Sequence, residues 1–298
     1  MAGLWLSGSA DPGPPQARGL GDRSIARHHP EPGPLIVSDV DGVFTDQFAV
    51  ADHDVIERMA GIVRRGWALG LVTGRSHAWL DREILAPMRA WLPAEVHDHV
   101  AVACEFGGVL STCSAETPAD IRGPEIPPAV RERLRALAME PRFTELLEWD
   151  PTKTCTAAVE VRHETAREAG ALATDAALRE YAHQANALVA DEGCSVRRTT
   201  FAVDITPPRL TKHDGTRAVV AYLAALPTVA LAIGDSAGDA EIAEELAASL
   251  DVPVVFAWVG PTAPPRLRHP IEVVRTSALF ARGALEAIDA FEERVRAT

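Results

Sequence analysis

Two pairs of carboxylates, a threonine and a lysine stand where their types and spacing could do chemistry. Asp39 and Asp41 are separated by one residue at the end of the apolar run Leu35–Val37, and Gly42 follows at once. Side chains two apart on a strand point to one side. Both acids then face one space, where they repel each other. Either a cation is held between them or one stays protonated, and either case is a chemical site. Asp235 and Asp239 close a second apolar run, Val229–Ile233, within Gly234-Asp-Ser-Ala-Gly-Asp239. A third run, Ala68–Val72, ends in Thr73-Gly74-Arg75-Ser76. A hydroxyl followed by a glycine at a helix start suits an oxyanion, because the hydroxyl and free backbone N–H groups both donate to it. Lys212 stands just before a helical stretch. Taken alone, a lysine there is as well explained by a solvated surface charge.

The elements that must position these groups are legible as alternating strands and helices. Leu35–Val37, Ala68–Val72, Val100–Cys104, Val229–Ile233 and Val252–Val259 are short apolar runs bounded by turn residues, the pattern of buried parallel strands. Ile271–Val274 adds a short sixth. Between them, Val55–Arg65 carries Ile56, Met59, Ile62 and Val63 on one face and ends at Gly66, a helix with its stop. Further helices are predicted over His77–Trp91 with a break near Pro87, Gly215–Leu226, Ala240–Leu250 and Ala278–Arg296. Open sheets of this kind bind ligands in the crevice at the carboxyl ends of their strands. That is where every acid pair falls.

At these residues the chain resembles a known family. Asp39-Val-Asp41-Gly42-Val-Phe-Thr45-Asp46 looks like the first motif of the haloacid-dehalogenase superfamily of aspartyl-phosphate phosphatases and phosphomutases. Thr73-Gly74 is similar to its second motif, Lys212 to its third and Asp235…Asp239 to its fourth, in the same order along the chain. The resemblance implies a doubly wound α/β core. It also implies Asp39 as nucleophile and Asp41 as general acid and base. Thr73, Gly74 and Lys212 would bind the phosphoryl group. Mg²⁺ would be held by Asp39, the backbone carbonyl of Asp41 and Asp235, with Asp239 near its water shell. Two positions depart from the family. Gly238 stands where an asparagine often precedes the second aspartate. Phe106, in Glu105-Phe-Gly-Gly108, replaces the asparagine of a Glu-Asn-Gly sequence, so that side chain's role does not carry over.

Residues 113–206 change character. Ser114–Pro128 is rich in proline and acid, and Ala129–Met139 and Thr165–Ala190 read as helices. Thr154–Arg162, Cys194–Arg198 and Phe201–Thr206 read as strands. Helices on one antiparallel sheet make a small α+β unit. In the family this is the place of an inserted cap, and its length resembles that of the large-cap, Cof-type branch. The expected organisation is a disordered tail over 1–33, a catalytic core over 34–112 and 207–298, and a cap over 113–206. By analogy with the sucrose-phosphate, trehalose-phosphate and mannosylglycerate-phosphate phosphatases, the substrate expected is a small sugar or polyol phosphate. A phosphomutase is the alternative, since phosphomannomutases share the core and a related cap. A non-catalytic binding protein is the third reading. Arg122, Lys153, Arg162, His163, Arg197 and Arg198 are the candidates to meet a leaving group, each more simply read as a solvated charge.

Composition narrows the classes. The net charge is −13, with 29 Lys+Arg against 42 Asp+Glu, and such a surface repels nucleic acid and anionic membrane. An anionic substrate then needs local cations. The cysteines, Cys104, Cys113, Cys155 and Cys194, lack the close spacing of a zinc or redox motif and read as reduced thiols of a cytoplasmic protein. His97, Asp98 and His99 are adjacent, but neighbours on an extended segment point to opposite faces and cannot all chelate.

Overall fold

The computed structural model describes residues 32–46, 50–114, 119–162, 165, 169–199, 201–223 and 226–297. Most of the expected tail, and His163, lie outside the described residues. The strands are β1 (Gly33–Ser38), β2 (Ala68–Val72), β3 (Val100–Cys104), β4 (Val109–Thr112), β5 (Asp120–Ile121), β6 (Leu147–Trp149), β7 (Ala157–Val161), β8 (Ser195–Arg198), β9 (Ala202–Thr206), β10 (Pro227–Gly234), β11 (Val254–Trp258) and β12 (Glu272–Arg275).

Eight of them form one sheet in the order β12-β11-β10-β1-β2-β3-β4-β5. From β12 to β3 every pairing is parallel, and β4 and β5 then add antiparallel. The short strand β5 lies beyond residue 112, so the sheet extends into the proline-rich stretch. Alternation along the strands divides the core into two layers. Ile36, Leu69, Leu71, Val100, Val102, Leu231 and Ile233 pack on one face with the helices His53–Val63 and Phe280–Ala297. Leu35, Val37, Ala101, Ala103, Ala230, Ala232 and Phe256 pack on the other with Lys212–Leu223 and Ala240–Ser249. A sheet covered on both faces needs strands apolar on both faces, which is why these segments read as unbroken apolar runs. This is the doubly wound α/β class expected from the sequence.

The chain leaves β1 toward β2 on one side and later builds β10 on the other. The crevice between the ends of β1 and β10 is therefore a topological switch point. The second sheet is antiparallel, in the order β6-β7-β9-β8. Its Val159, Val161, Val203 and Ile205 pack with Leu134, Leu178 and Tyr181 of the helices Pro128–Ala138 and Ala171–Val189 into a separate apolar core. This is the α+β unit of the expected cap.

Several local expectations shift. The segment from His77 to Trp91 is a helix interrupted by a π-turn over Asp81–Leu85, and Pro87 opens its last piece. His97, Asp98 and His99 lie in a 3₁₀ turn, Ala94–His99, rather than an extended segment. The three-residue strand β6 and the strands β4 and β5 give too short a pattern to be read in advance. All four cysteines are free thiols. Among the described residues no helix is long and apolar enough to cross a membrane.

Candidate active site

β1 and β10 pair in parallel with Ser38 opposite Ile233, and the next step of the chain brings Asp39 beside the end of β10. The Asp39 N–H donates to the Ile233 carbonyl at 3.0 Å, which fixes that carboxylate's base. Asp39 is 5% exposed. Carboxylate oxygens of Asp39, Asp235 and Asp239 lie within 4.8 Å of one another. Asp239 is locked by the turn that precedes its helix: one of its oxygens accepts from the N–H groups of Asp235 and Ser236, at 2.9 and 2.8 Å, and from the Ser236 hydroxyl at 3.0 Å. Gly42 permits the close approach of the two loops. Its φ is +72°, and a Cβ there would stand 2.3 Å from Asp235 Oδ2.

Lys212 opens the helix Lys212–Leu223 and is nearly buried. Its ammonium donates to Asp39 Oδ1 at 2.8 Å and to Asp239 Oδ1. Burial works against this ammonium, but Asp239 and Asp39 outweigh it and hold its pKa above the ordinary lysine range. Burial, with Asp239 adding repulsion, raises the Asp39 carboxyl well above its usual range despite Lys212. The same two causes push Asp235 up to about 7. One lysine does not neutralise three acids held this close.

The Thr73-Gly74 turn lies at the same end of the sheet, beyond β2. The Thr73 hydroxyl accepts from the Arg75 N–H at 3.0 Å, which leaves its own proton to donate. The Gly74 carbonyl accepts from Lys153 Nζ at 2.6 Å. Asp41 does not join the three clustered carboxylates. Arg75 grips it instead, Nε at 3.1 Å from both oxygens and Nη2 at 2.8 Å from Oδ1. The other arm of that guanidinium holds Glu160 on β7 at 3.0 and 3.1 Å, and its plane lies 4.6 Å above the Trp79 ring. Arg75 thus joins the floor of the crevice to the smaller sheet above it.

Two further contacts tie the units together, and neither pairing is visible in the sequence. Glu105, 1% exposed, accepts from Thr154 N–H at 2.8 Å and from the N–H and hydroxyl of Thr156 at 2.7 Å each. Lys153, besides holding Gly74, pairs with Asp204 at 3.3 Å. Lys153 is therefore a buried clamp on the phosphate-type turn rather than a free cation. Arg122 pairs with Asp120, Arg162 with Glu148 and Arg198 with Asp175. Arg197 stands apart: its guanidinium lies 5.7 Å over the Phe106 ring and reaches the Gly238 loop. Phe106 itself has a φ of 58° and sits against Gly74, where a Cβ would meet its ring at 2.7 Å.

The oxygen-only, mostly buried set of Asp39, Asp235 and Asp239 fits a magnesium ion. Oxygens bound at about 2.1 Å to one octahedral Mg²⁺ are about 3 to 4.2 Å apart, so a spread within 4.8 Å needs little closure. Around the crevice four carboxylates (Asp39, Asp41, Asp235 and Asp239) face the two cations Lys212 and Arg75. Arg75 is shared with Glu160, so acids outnumber cations here, an excess that a divalent cation offsets.

No family model matches the chain, and no curated protein matches it. Solved structures do. The C-terminal domain of trehalose-6-phosphate phosphatase from C. albicans superposes with a TM-score of 0.63, over 88% of this chain and 93% of that one, at 14% identity. A haloacid dehalogenase-like hydrolase from Bacteroides thetaiotaomicron gives 0.54, over 87% and 99%, at 14% identity. The fold is that of the haloacid-dehalogenase-like hydrolases. The C-terminal domain of the trehalose synthase regulatory protein from Candida albicans shares it too, with a TM-score of 0.56 over 87% of this chain and 93% of that one, at 10% identity. In this chain the haloacid-dehalogenase-like fold carries its carboxylates at the switch-point crevice, beneath the smaller sheet.

Proposed function

We propose that the protein is a Mg²⁺-dependent phosphatase that hydrolyses a small phosphate monoester, a sugar or polyol phosphate, through an aspartyl-phosphate on Asp39. The observation that carries this reading is the Asp39–Lys212–Asp239 contact at the mouth of the β1/β10 crevice, with Asp235 beside it. A phosphate monoester is anionic and resists an anionic nucleophile, so catalysis is chiefly positioning and charge neutralisation. Asp39, Asp235 and the Asp41 backbone carbonyl, with Asp239 behind, would hold a magnesium ion, which would supply positive charge for the phosphoryl oxygens.

The chain's own residues do the rest. An Asp39 oxygen attacks phosphorus as the bond to the leaving oxygen breaks. Asp41 gives that oxygen its proton. It then takes a proton from the water whose oxygen displaces Asp39 and frees phosphate. Lys212, the Thr73 hydroxyl and the Gly74 N–H hold the phosphoryl oxygens. We assign residues 34–112 and 207–298 to the catalytic core and 113–206 to the cap, which screens the crevice from water and from large substrates. The likeness in fold to a trehalose-6-phosphate phosphatase supports the sugar phosphate class.

The test is phosphate release from a panel of phosphorylated sugars, polyols and nucleotides, with and without Mg²⁺, beside Asp39→Asn. The expected result is metal-dependent release that the variant loses. Release retained by Asp39→Asn removes Asp39 as nucleophile. Isomer formed without release makes the protein a phosphomutase. A folded, metal-binding but inert protein makes it a binding or regulatory protein.

A further inference from the structure

The smaller sheet presents two unlike faces. Cross-strand partners share a face, and Glu148 lies opposite Glu160, Ala158 opposite Asp204 and Arg197 opposite Asp204. The alternate residues Val159, Val161, Val203 and Ile205 pack against the unit's own helices. The polar face therefore looks toward the crevice, as the contacts of Glu160 with Arg75 and of Lys153 with the Gly74 carbonyl require. Its three acids each hold a cation, Glu160 with Arg75, Asp204 with Lys153 and Glu148 with Arg162.

Arg197 is the cation left over. Of the basic residues singled out above, Arg122, Lys153, Arg162 and Arg198 each have a carboxylate partner. Among the described residues Arg197 has none. It is exposed, yet its position is defined at two points. The guanidinium lies over Phe106, whose ring rests on the Thr73-Gly74 turn. Its Nη1 would be 3.5 Å from a Cβ on Gly238, in the loop between Asp235 and Asp239. It spans the mouth of the crevice from the Thr73-Gly74 turn to the acidic loop. The aromatic ring in place of an amide at residue 106 supplies a face for this cation to rest on.

We propose that Arg197 is a specificity-determining residue that receives a second anionic group, a carboxylate or second phosphate, on the leaving-group side of the substrate. This deepens the phosphatase reading and rests on it for the direction in which the leaving group lies. Within the sugar and polyol phosphates, the substrate class then narrows to those that carry a second anionic group, phosphorylated acids and bisphosphates.

The test uses the full chain with Mg²⁺ in an Asp39→Asn background, so that ligands bind without turnover, and measures affinity by calorimetry. The probes are 3-phosphoglycerate against glycerol 3-phosphate, and fructose 1,6-bisphosphate against fructose 6-phosphate. At least one doubly anionic probe should bind roughly 10- to 100-fold more tightly than its partner, the range of one charge-assisted hydrogen bond. Which pair shows the gap identifies carboxylate or phosphate. Arg197→Met should erase the gap and Arg197→Lys keep part of it. Arg198→Met, on the opposite face, should retain it whole. A gap that survives Arg197→Met, or no gap in either pair, overturns the proposal. Turnover by the unsubstituted protein separates the two readings. Phosphate release with no such gap leaves the phosphatase standing and removes Arg197. An Arg197-dependent gap with no release does the reverse.

Discussion

Replacing Lys212 by methionine keeps most of the side chain's volume and removes its charge. In the folded protein Lys212 is the direct partner of Asp39 and Asp239, and its side chain is 8% exposed. Breaking a buried ion pair from one side costs about 3–5 kcal/mol, because the remaining charges are left uncompensated. A domain's whole stability is about 5–15 kcal/mol, so the metal-free variant should sit near its limit at pH 8. The penalty is conditional on ionisation. Burial already raises Asp39 and Asp235 above their unfolded values, Asp235 to about 7. A carboxyl whose folded pKa is raised favours folding least where it is charged. Stability is therefore lost as pH climbs from the unfolded value near 4 through the folded one, and is recovered on acidification. From pH 8 to pH 5.5 Asp235, ionising near 7 with Lys212 in place, returns about 2 kcal/mol to the parent at about 1.4 kcal/mol per pH unit, and the variant, without the lysine that lowers both carboxyls, regains more. Magnesium at 100 times its dissociation constant returns about 2.7 kcal/mol. The assay is urea unfolding followed by tryptophan fluorescence, since Trp67 and Trp258 are buried in the two core layers. It is run at pH 8 and pH 5.5, with EDTA and with Mg²⁺. A loss under about 1 kcal/mol at pH 8, unchanged at pH 5.5, would refute the view of Lys212 as the buried counter-charge.

Three other perturbations probe the same architecture. Gly42→Ala places a methyl 2.3 Å from Asp235 Oδ2 at a φ of +72°, so calorimetry should show Mg²⁺ affinity falling about tenfold or more although no ligand is removed; unchanged affinity would mean that Asp235 holds no metal. Glu105→Ala strips the acceptor from two N–H groups and a hydroxyl at Thr154 and Thr156, at a cost of about 2–4 kcal/mol. Hydrogen exchange should rise first at residues 154–156, and protection equal to the parent's would contradict it. Arg75→Gln and Glu160→Gln should be non-additive by about 1 kcal/mol, modest because Glu160 and Asp41 are partly exposed. Arg75→Gln should also lower kcat by freeing Asp41, whereas Glu160→Gln alone should leave Asp41 gripped.

What the sequence discloses and what it hides divide by distance along the chain. The acid pairs are local: two residues apart at 39 and 41, four apart at 235 and 239, each after an apolar run that reads as a buried strand. The crevice was legible because strand ends, glycines and acids coincide in short windows. The joints between the two units were not. Arg75 meets Glu160 across 85 residues, and Glu105 meets Thr156 across 51. Arg75 and Glu105 stand in stretches that the sequence marks, but nothing local points to Glu160 or Thr156 as their partners. Lys153 reads from its type as a surface charge, and only the fold shows it buried against the Gly74 carbonyl. The π-turn at Asp81–Leu85 preserves the helical pattern around it, so periodicity assigned the break to Pro87. Phe106 was visible as a departure from the family, but its contact with Arg197 needed the antiparallel sheet to exist first.

The charge of the roof follows from those hidden joints. A protein of net charge −13 that places Glu160 and Asp204 over its crevice would repel an anionic ligand. At about 4 Å a pair of like charges costs about 1 kcal/mol in water and about 4 kcal/mol at the effective dielectric near a protein surface. Arg75 and Lys153 cancel these two acids at 3.0 and 3.3 Å. Both cations also fasten the roof to the floor, through Asp41 and the Gly74 carbonyl. Docking of the sheet and neutralisation of Glu160 are therefore one event, whereas Asp204 has its cation within its own unit. An undocked sheet would leave Glu160 uncompensated, while a docked one presents Arg197 as its uncancelled charge. Attraction of an anion and closure over it then favour the same arrangement, because the same side chains produce both.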